Sequence, residues 1–157
     1  MAVMNPYNYQ KPKNFIQRPP VKPLPENSGA IKRESRTTDK IDQYLESRIM
    51  SAKPEELTYM LYDGLVKFIK KAIIQLDDEK YEEVNYNSQR AQAILDELRS
   101  TLNMDIAMSQ SLDALYEYMS YKLLMANVEK SKAFFSDALE IAEDFKATWK
   151  QAFNIKF

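Results

Sequence analysis

The chain reads as an all-α protein, an antiparallel up-and-down four-helix bundle with a short leading helix and a disordered proline-rich N-terminal arm. Three observations carry this. Only two glycines occur in 157 residues. Six of the seven prolines fall in the first 40 residues, where they block helix and central strand alike. Beyond that point, long segments repeat apolar residues at helical period, with short polar breaks between them.

The arm, residues 1–38, includes RPPVKPLP, which should be extended with polyproline II character. It also carries Tyr7, Tyr9, Phe15 and Ile16, apolar anchors that can dock elsewhere. The remaining residues, 39–157, form the bundle domain. DKIDQYLESRIM leads in, and Pro54 supplies a first-turn residue for the first long helix. The core stripe of that helix is Leu57, Leu61, Gly64, Leu65, Phe68 and Ala72. A mid-helix glycine costs about 1 kcal/mol relative to alanine, so Gly64 should mark a close approach by a neighbouring helix or bound segment.

Asp77 and Asp78 break the pattern, with Asp78 a cap for the next helix. That helix, residues 80–102, has the stripe Val84, Ser88, Ala91, Leu95, Leu98 and Leu102. Asn103 and Asp105 punctuate before a tyrosine-rich helix whose core side is Leu112, Leu115, Tyr116, Met119, Leu123 and Ala126. Ser131 caps the last helix, with Phe134, Ala138, Ile141, Phe145, Trp149 and Ala152 inward.

Composition excludes much. With no Cys and no His, the usual zinc, haem and iron–sulfur ligands are missing, as are Ser-His and Cys-His nucleophile pairs. No glycine-rich phosphate loop fits glycines at 29 and 64. The acidic run DDEKYEE lies at a helix junction, where carboxylates complement the helix N-terminus. An enzyme, a cofactor and a metal are therefore not expected. The net charge of −1 conceals a basic arm, eight Lys/Arg against three Asp/Glu up to Lys40, and an acidic body. An acidic body argues against nucleic acid as partner. Apolar runs are too short and too charged to span a bilayer, and no signal-peptide stretch opens the chain, so a cytoplasmic protein without direct membrane insertion is expected.

Two helices have more apolar surface than one stripe needs. In the first, Tyr59, Tyr62, Val66, Ile69 and Ile73 lie opposite the core stripe. In the third, Tyr118, Tyr121 and Met125 do the same. Either both helices are buried on two sides, or these faces form a groove for an extended or helical peptide.

SAKPEELTYMLYDGLVKFIKKA resembles the first-helix signature of the FliS family of flagellin-export chaperones. RAQAILDEL, STLNMDIAMSQSLDALYEYM, KLLMANVEKS and ATWKQA continue the resemblance in order. It runs from Ile41 to Ala152, with Lys53 standing where the family has a capping Ser or Thr and Ser51 as a substitute cap. The arm looks like an addition at the front.

The resemblance implies a protein that binds the disordered C-terminal segment of flagellin, prevents its premature polymerisation and delivers it to the flagellar type III export gate. It implies that Ile41 and Tyr44 dock an export-gate protein. The groove candidates for the client are Ile49, Met50, Tyr59, Tyr62, Val66, Ile69, Ile73, Tyr118, Tyr121 and Met125. It further implies that the arm, through Tyr7, Tyr9 and Phe15, can cover that groove. The alternative is a regulatory module of the same fold that sequesters another flagellar protein, such as an anti-sigma factor.

Overall fold

The computed structural model describes residues 4–7 and 31–156, with side chains described from residue 39 in the second stretch. RPPVKPLP, Tyr9, Phe15 and Ile16 lie outside the described residues. Among the described residues five helices follow in order: α1 (Ile31–Ser51), α2 (Pro54–Asp77), α3 (Tyr81–Ser100), α4 (Ala107–Glu129) and α5 (Lys132–Ala152). The chain divides into two compact units, Met1–Tyr9 together with Pro54–Phe157, and Gln10–Lys53. The second unit contains α1, which is 21 residues long. It starts eight residues before the expected arm boundary at 38/39, which falls inside the helix.

In the first unit, α2 packs against α3 and α5, and α4 packs against the same two. Successive helices joined by short turns run antiparallel, so α2 and α4 occupy opposite corners. The core between them is closed to solvent. Leu65, Ile69 and Ala72 of α2 meet Val84, Ala91, Leu95 and Leu98 of α3, with Met119 and Leu123 of α4 and Phe135 and Ala142 of α5, all with no exposed surface.

Neighbours on two sides explain the second stripe of α2. One stripe faces α3: a Cβ on Gly64 would stand 3.3 Å from Ile94 Cδ1, and the Arg90 guanidinium lies over the Phe68 ring. The other faces α5: the Tyr62 ring stacks on Phe145 at 5.6 Å, and Lys146 lies over Tyr59. Charges run between the stripes. Asp63 accepts from Lys146 at 2.7 Å and pairs with Lys67 at the same distance, while Lys70 pairs with Glu143 at 3.0 Å. Burial alone would raise the Asp63 carboxyl, but the hydrogen bonds from Lys146 and Lys67 outweigh it and hold it below the usual carboxylate range.

The helix ends replace the missing glycines with other residues. After α2, Glu79 adopts φ 57° and Lys80 N–H reaches back to the Gln75 carbonyl at 2.9 Å. After α4, Lys130 has φ 51° and Ser131 N–H bonds Ala126 O at 3.0 Å. After α5, Asn154 has φ 51° and Ile155 N–H bonds Lys150 O at 3.0 Å. Each is a Schellman closure with a left-handed residue at the position that usually takes glycine.

This geometry corrects several expectations. Asp78 does not cap α3: the N-cap is Lys80, without a side-chain bond, because Asp78 is drawn into the closure of α2. The Ser51 hydroxyl donates to Ser47 O and Arg48 O in its own helix. Ser131 caps α5 as expected, accepting from Phe134 N–H at 3.3 Å. Every residue of the α3 stripe is buried. In α4, however, Leu115 is exposed. In α5 Ala138 and Trp149 are buried as expected, but the face is broader on one side: Phe135 and Ala142 are buried, Phe134, Ile141 and Phe145 are half-buried, and Ala152 is exposed.

A left-handed conformation costs an L-residue roughly 1–2 kcal/mol, and glycine gives back part of that through its looser unfolded state. Glu79→Gly should therefore raise stability by about 0.5–1 kcal/mol, read as a higher urea midpoint with unchanged slope.

Candidate functional site: an aromatic slot holding the N-terminal segment

The first described residues are docked on the bundle. Pro6 and Tyr7 lie extended beside the turn between α3 and α4, where Tyr7 forms an isolated antiparallel bridge with Leu102. The Asn103 N–H donates to the Pro6 carbonyl at 2.8 Å. Proline loses nothing here, since the bond uses its carbonyl and not the donor it lacks. The Tyr7 N–H is closed locally by Asn5 Oδ1 at 2.9 Å, a side-chain turn typical of asparagine.

The Tyr7 ring enters a slot made by α2, α4 and α5. It meets Trp149 edge-on with centroids 5.3 Å apart, and Tyr62 at 6.5 Å. Trp149 is held in turn by its indole N–H donating to Glu55 O at 2.8 Å and by the Phe153 ring at 4.4 Å. Phe145 backs both Tyr62 and Tyr116.

Three hydroxyls converge at the bottom of the slot. Tyr62 and Tyr116, from opposite corners of the bundle, are 2.6 Å apart. The Tyr7 hydroxyl bonds Tyr62 at 2.6 Å and also bonds Tyr116. A hydroxyl offers one hydrogen and can accept another, so three in a ring satisfy one another. Burial pushes the Tyr7, Tyr62 and Tyr116 hydroxyls above the ordinary tyrosine value, and all three stay protonated at physiological pH.

A second apolar surface lies outside the slot. On α4, Tyr118 and Tyr121 are 46% and 58% exposed, next to exposed Leu115, Leu124 and Val128. The Lys122 ammonium lies 5.5 Å from the Tyr118 ring centre. The groove candidates thus separate into groups. Tyr59, Tyr62, Val66 and Ile69 are buried within the first unit, Ile73 and Met125 are half-buried, and Tyr118 and Tyr121 face solvent. On α1, Ile41, Tyr44 and Met50 are exposed and Ile49 is half-buried.

The sequence marks Tyr7 as one anchor among several and Tyr116 as plain core. Their meeting is invisible in it, because the two residues are 109 positions apart and only the bundle closes the distance. Among the described residues, no group of three or more His, Cys, Asp or Glu stands where it could hold a metal ion. No helix among them is long and apolar enough to cross a membrane.

The unfolded chain releases tyrosine protons near pH 10, before the buried hydroxyls do. Stability from the slot is therefore complete below about pH 10 and lost as pH rises beyond it. The urea midpoint should fall between about pH 9 and 11, and fall less in Tyr7→Phe, which has one such group fewer. Equal slopes in the two proteins would contradict burial of the Tyr7 hydroxyl.

The family model described as "Flagellar protein FliS" matches residues 37–156. The flagellar secretion chaperone FliS of Bacillus subtilis is 38% identical over 109 residues, covering 69% of this chain and 82% of its own. Its counterpart in Escherichia coli is 27% identical over 111 residues, with 69% and 82% covered. A bacterial flagellar chaperone of known crystal structure superposes with a TM-score of 0.61 at 20% identity, over 75% of this chain and 98% of that one. At that identity it speaks for the fold.

Proposed function

The chain belongs to the FliS family of flagellar secretion chaperones, which are not enzymes, and on that footing we propose that it binds the C-terminal segment of flagellin, keeps it from polymerising in the cytoplasm and presents it to the export gate. The observation that carries this reading is the docked Pro6–Tyr7 segment. An extended stretch of polypeptide sits on the bundle through one main-chain hydrogen bond and one aromatic side chain, which is the manner in which a disordered client is held. A client of that kind is ordered only on binding, so it needs broad apolar contact rather than a deep pocket. The exposed Tyr118 and Tyr121 extend such contact along α4.

The N-terminal segment then competes with the client. A tethered competitor acts at an effective concentration of about millimolar, so its removal should tighten client binding measurably. On α1, the exposed Ile41 and Tyr44 are the residues we assign to the export-gate protein. No observation favours the alternative of sequestering an anti-sigma factor.

Calorimetry with a peptide of the flagellin C-terminal segment should give a one-to-one complex. Absence of binding at tens of micromolar, with the bundle folded by circular dichroism, would overturn the proposal. Tyr118→Ala combined with Tyr121→Ala should weaken the complex by roughly tenfold, at about 0.5–1.5 kcal/mol per aromatic contact. Deleting residues 1–38 should strengthen it, and unchanged affinity would remove the competitive role of the segment. Ile41→Ala with Tyr44→Ala should leave flagellin affinity intact while abolishing pull-down of the export-gate protein.

A further inference from the structure

The slot around Tyr7 is more than an apolar recess, because its floor is polar. Tyr62 and Tyr116 are 1% and 0% exposed, and among the described residues their hydroxyls bond within the tyrosine cluster. If a ring closes the slot over them but brings no hydroxyl, one donates to the other and the second hydrogen has no acceptor. The Tyr7 hydroxyl supplies the missing acceptor and donor together. A ring of the same size without the hydroxyl would fill the space and leave that hydrogen stranded. Sites built around a buried hydroxyl reject the analogue that lacks it far more strongly than apolar pockets reject a missing methylene.

The main chain adds two further requirements. Asn103 N–H needs a carbonyl one residue before the aromatic, in extended geometry. The aromatic residue's own N–H is closed by the side chain of Asn5, two residues earlier. Each of the three residues thus has its own part. Asparagine closes a donor, proline presents a carbonyl at a fixed φ, and tyrosine completes the hydroxyl ring.

We propose that the Tyr62–Tyr116 hydroxyl pair, with Asn103 N–H, makes this slot a receptor selective for an extended Asn-Pro-Tyr segment, discriminating tyrosine from phenylalanine through the hydroxyl alone. Residues 5–7 fill it in cis, and a second polypeptide carrying the same three residues in extended form fits the same contacts in trans. This selectivity does not depend on flagellin being the client, and it concerns which side chain the slot accepts rather than whether the segment competes.

The test uses the full chain carrying Tyr7→Ala, which vacates the slot. Trp149 is the only tryptophan and touches the Tyr7 ring, so its emission, excited beyond tyrosine absorption, reports occupancy. The probe is a peptide of residues 1–9, MAVMNPYNY, titrated beside the same peptide with Tyr7→Phe. The tyrosine peptide should bind saturably, and the phenylalanine peptide at least roughly tenfold more weakly. In a Tyr116→Phe background the preference should shrink to about twofold or less, and Tyr62→Phe gives the same comparison if the first variant folds poorly. Equal affinities for the two peptides, absence of saturable binding by the tyrosine peptide, or a preference that persists without the slot hydroxyls would each overturn the proposal. A negative result here with intact flagellin binding would leave the chaperone reading standing, and the converse would leave the slot standing.

Discussion

Two tyrosine hydroxyls meet at 2.6 Å across the diagonal of the bundle, Tyr62 from α2 and Tyr116 from α4. These helices pack chiefly on α3 and α5, so the contact ties corners that the apolar core holds apart. Buried polar groups must be partnered, because an orphaned one costs about 1–3 kcal/mol. That requirement orders much of what surrounds it. It fixes the rotation of α2 that sends Tyr62 toward Phe145, and it draws the Tyr7 hydroxyl into the same ring. Trp149, anchored to Glu55 O at the start of α2, closes the side.

The same helix shows how polar and apolar contributions divide the work. Along α2, burial against α3 and α5 supplies the driving force, while Asp63, Lys67, Lys70, Lys146 and Glu143 set the register of α5 from the edge. These ion pairs are partly exposed and add little stability individually. Their value is positional. At the far ends of α2, α4 and α5, left-handed residues turn the chain without glycine, an arrangement that holds because the following residue reaches back to an otherwise unpaired carbonyl. Ile155, the residue that makes this bond after α5, is itself buried.

Periodicity makes the helices legible, and in α3 the whole expected stripe is buried, with only the polar Asn87 buried outside it. A helical repeat encodes an angle around an axis, however, and says nothing of how many neighbours stand around it. On α2 and α4 the pattern looked alike, a second apolar stripe on each. The structure covers the one on α2 with α5 and leaves Tyr118 and Tyr121 of α4 open. Leu115 sits near the edge of its stripe, where a few degrees of rotation decide between core and solvent. In α5 the exchange of Phe134 and Ile141 for Phe135 and Ala142 at the centre of the face has the same origin, since adjacent apolar residues leave open which leads inward.

The sequence by itself determined the helical class, the breaks between the four long helices and, through motif order, the resemblance to flagellar chaperones. These depend on local composition and spacing, which a single chain states openly. Only the tertiary structure decided that Tyr7 belongs with Tyr62 and Tyr116. Their separations of 55 and 109 residues are bridged by helix packing, and a hydroxyl's need for a partner names no particular residue until the fold brings one within reach.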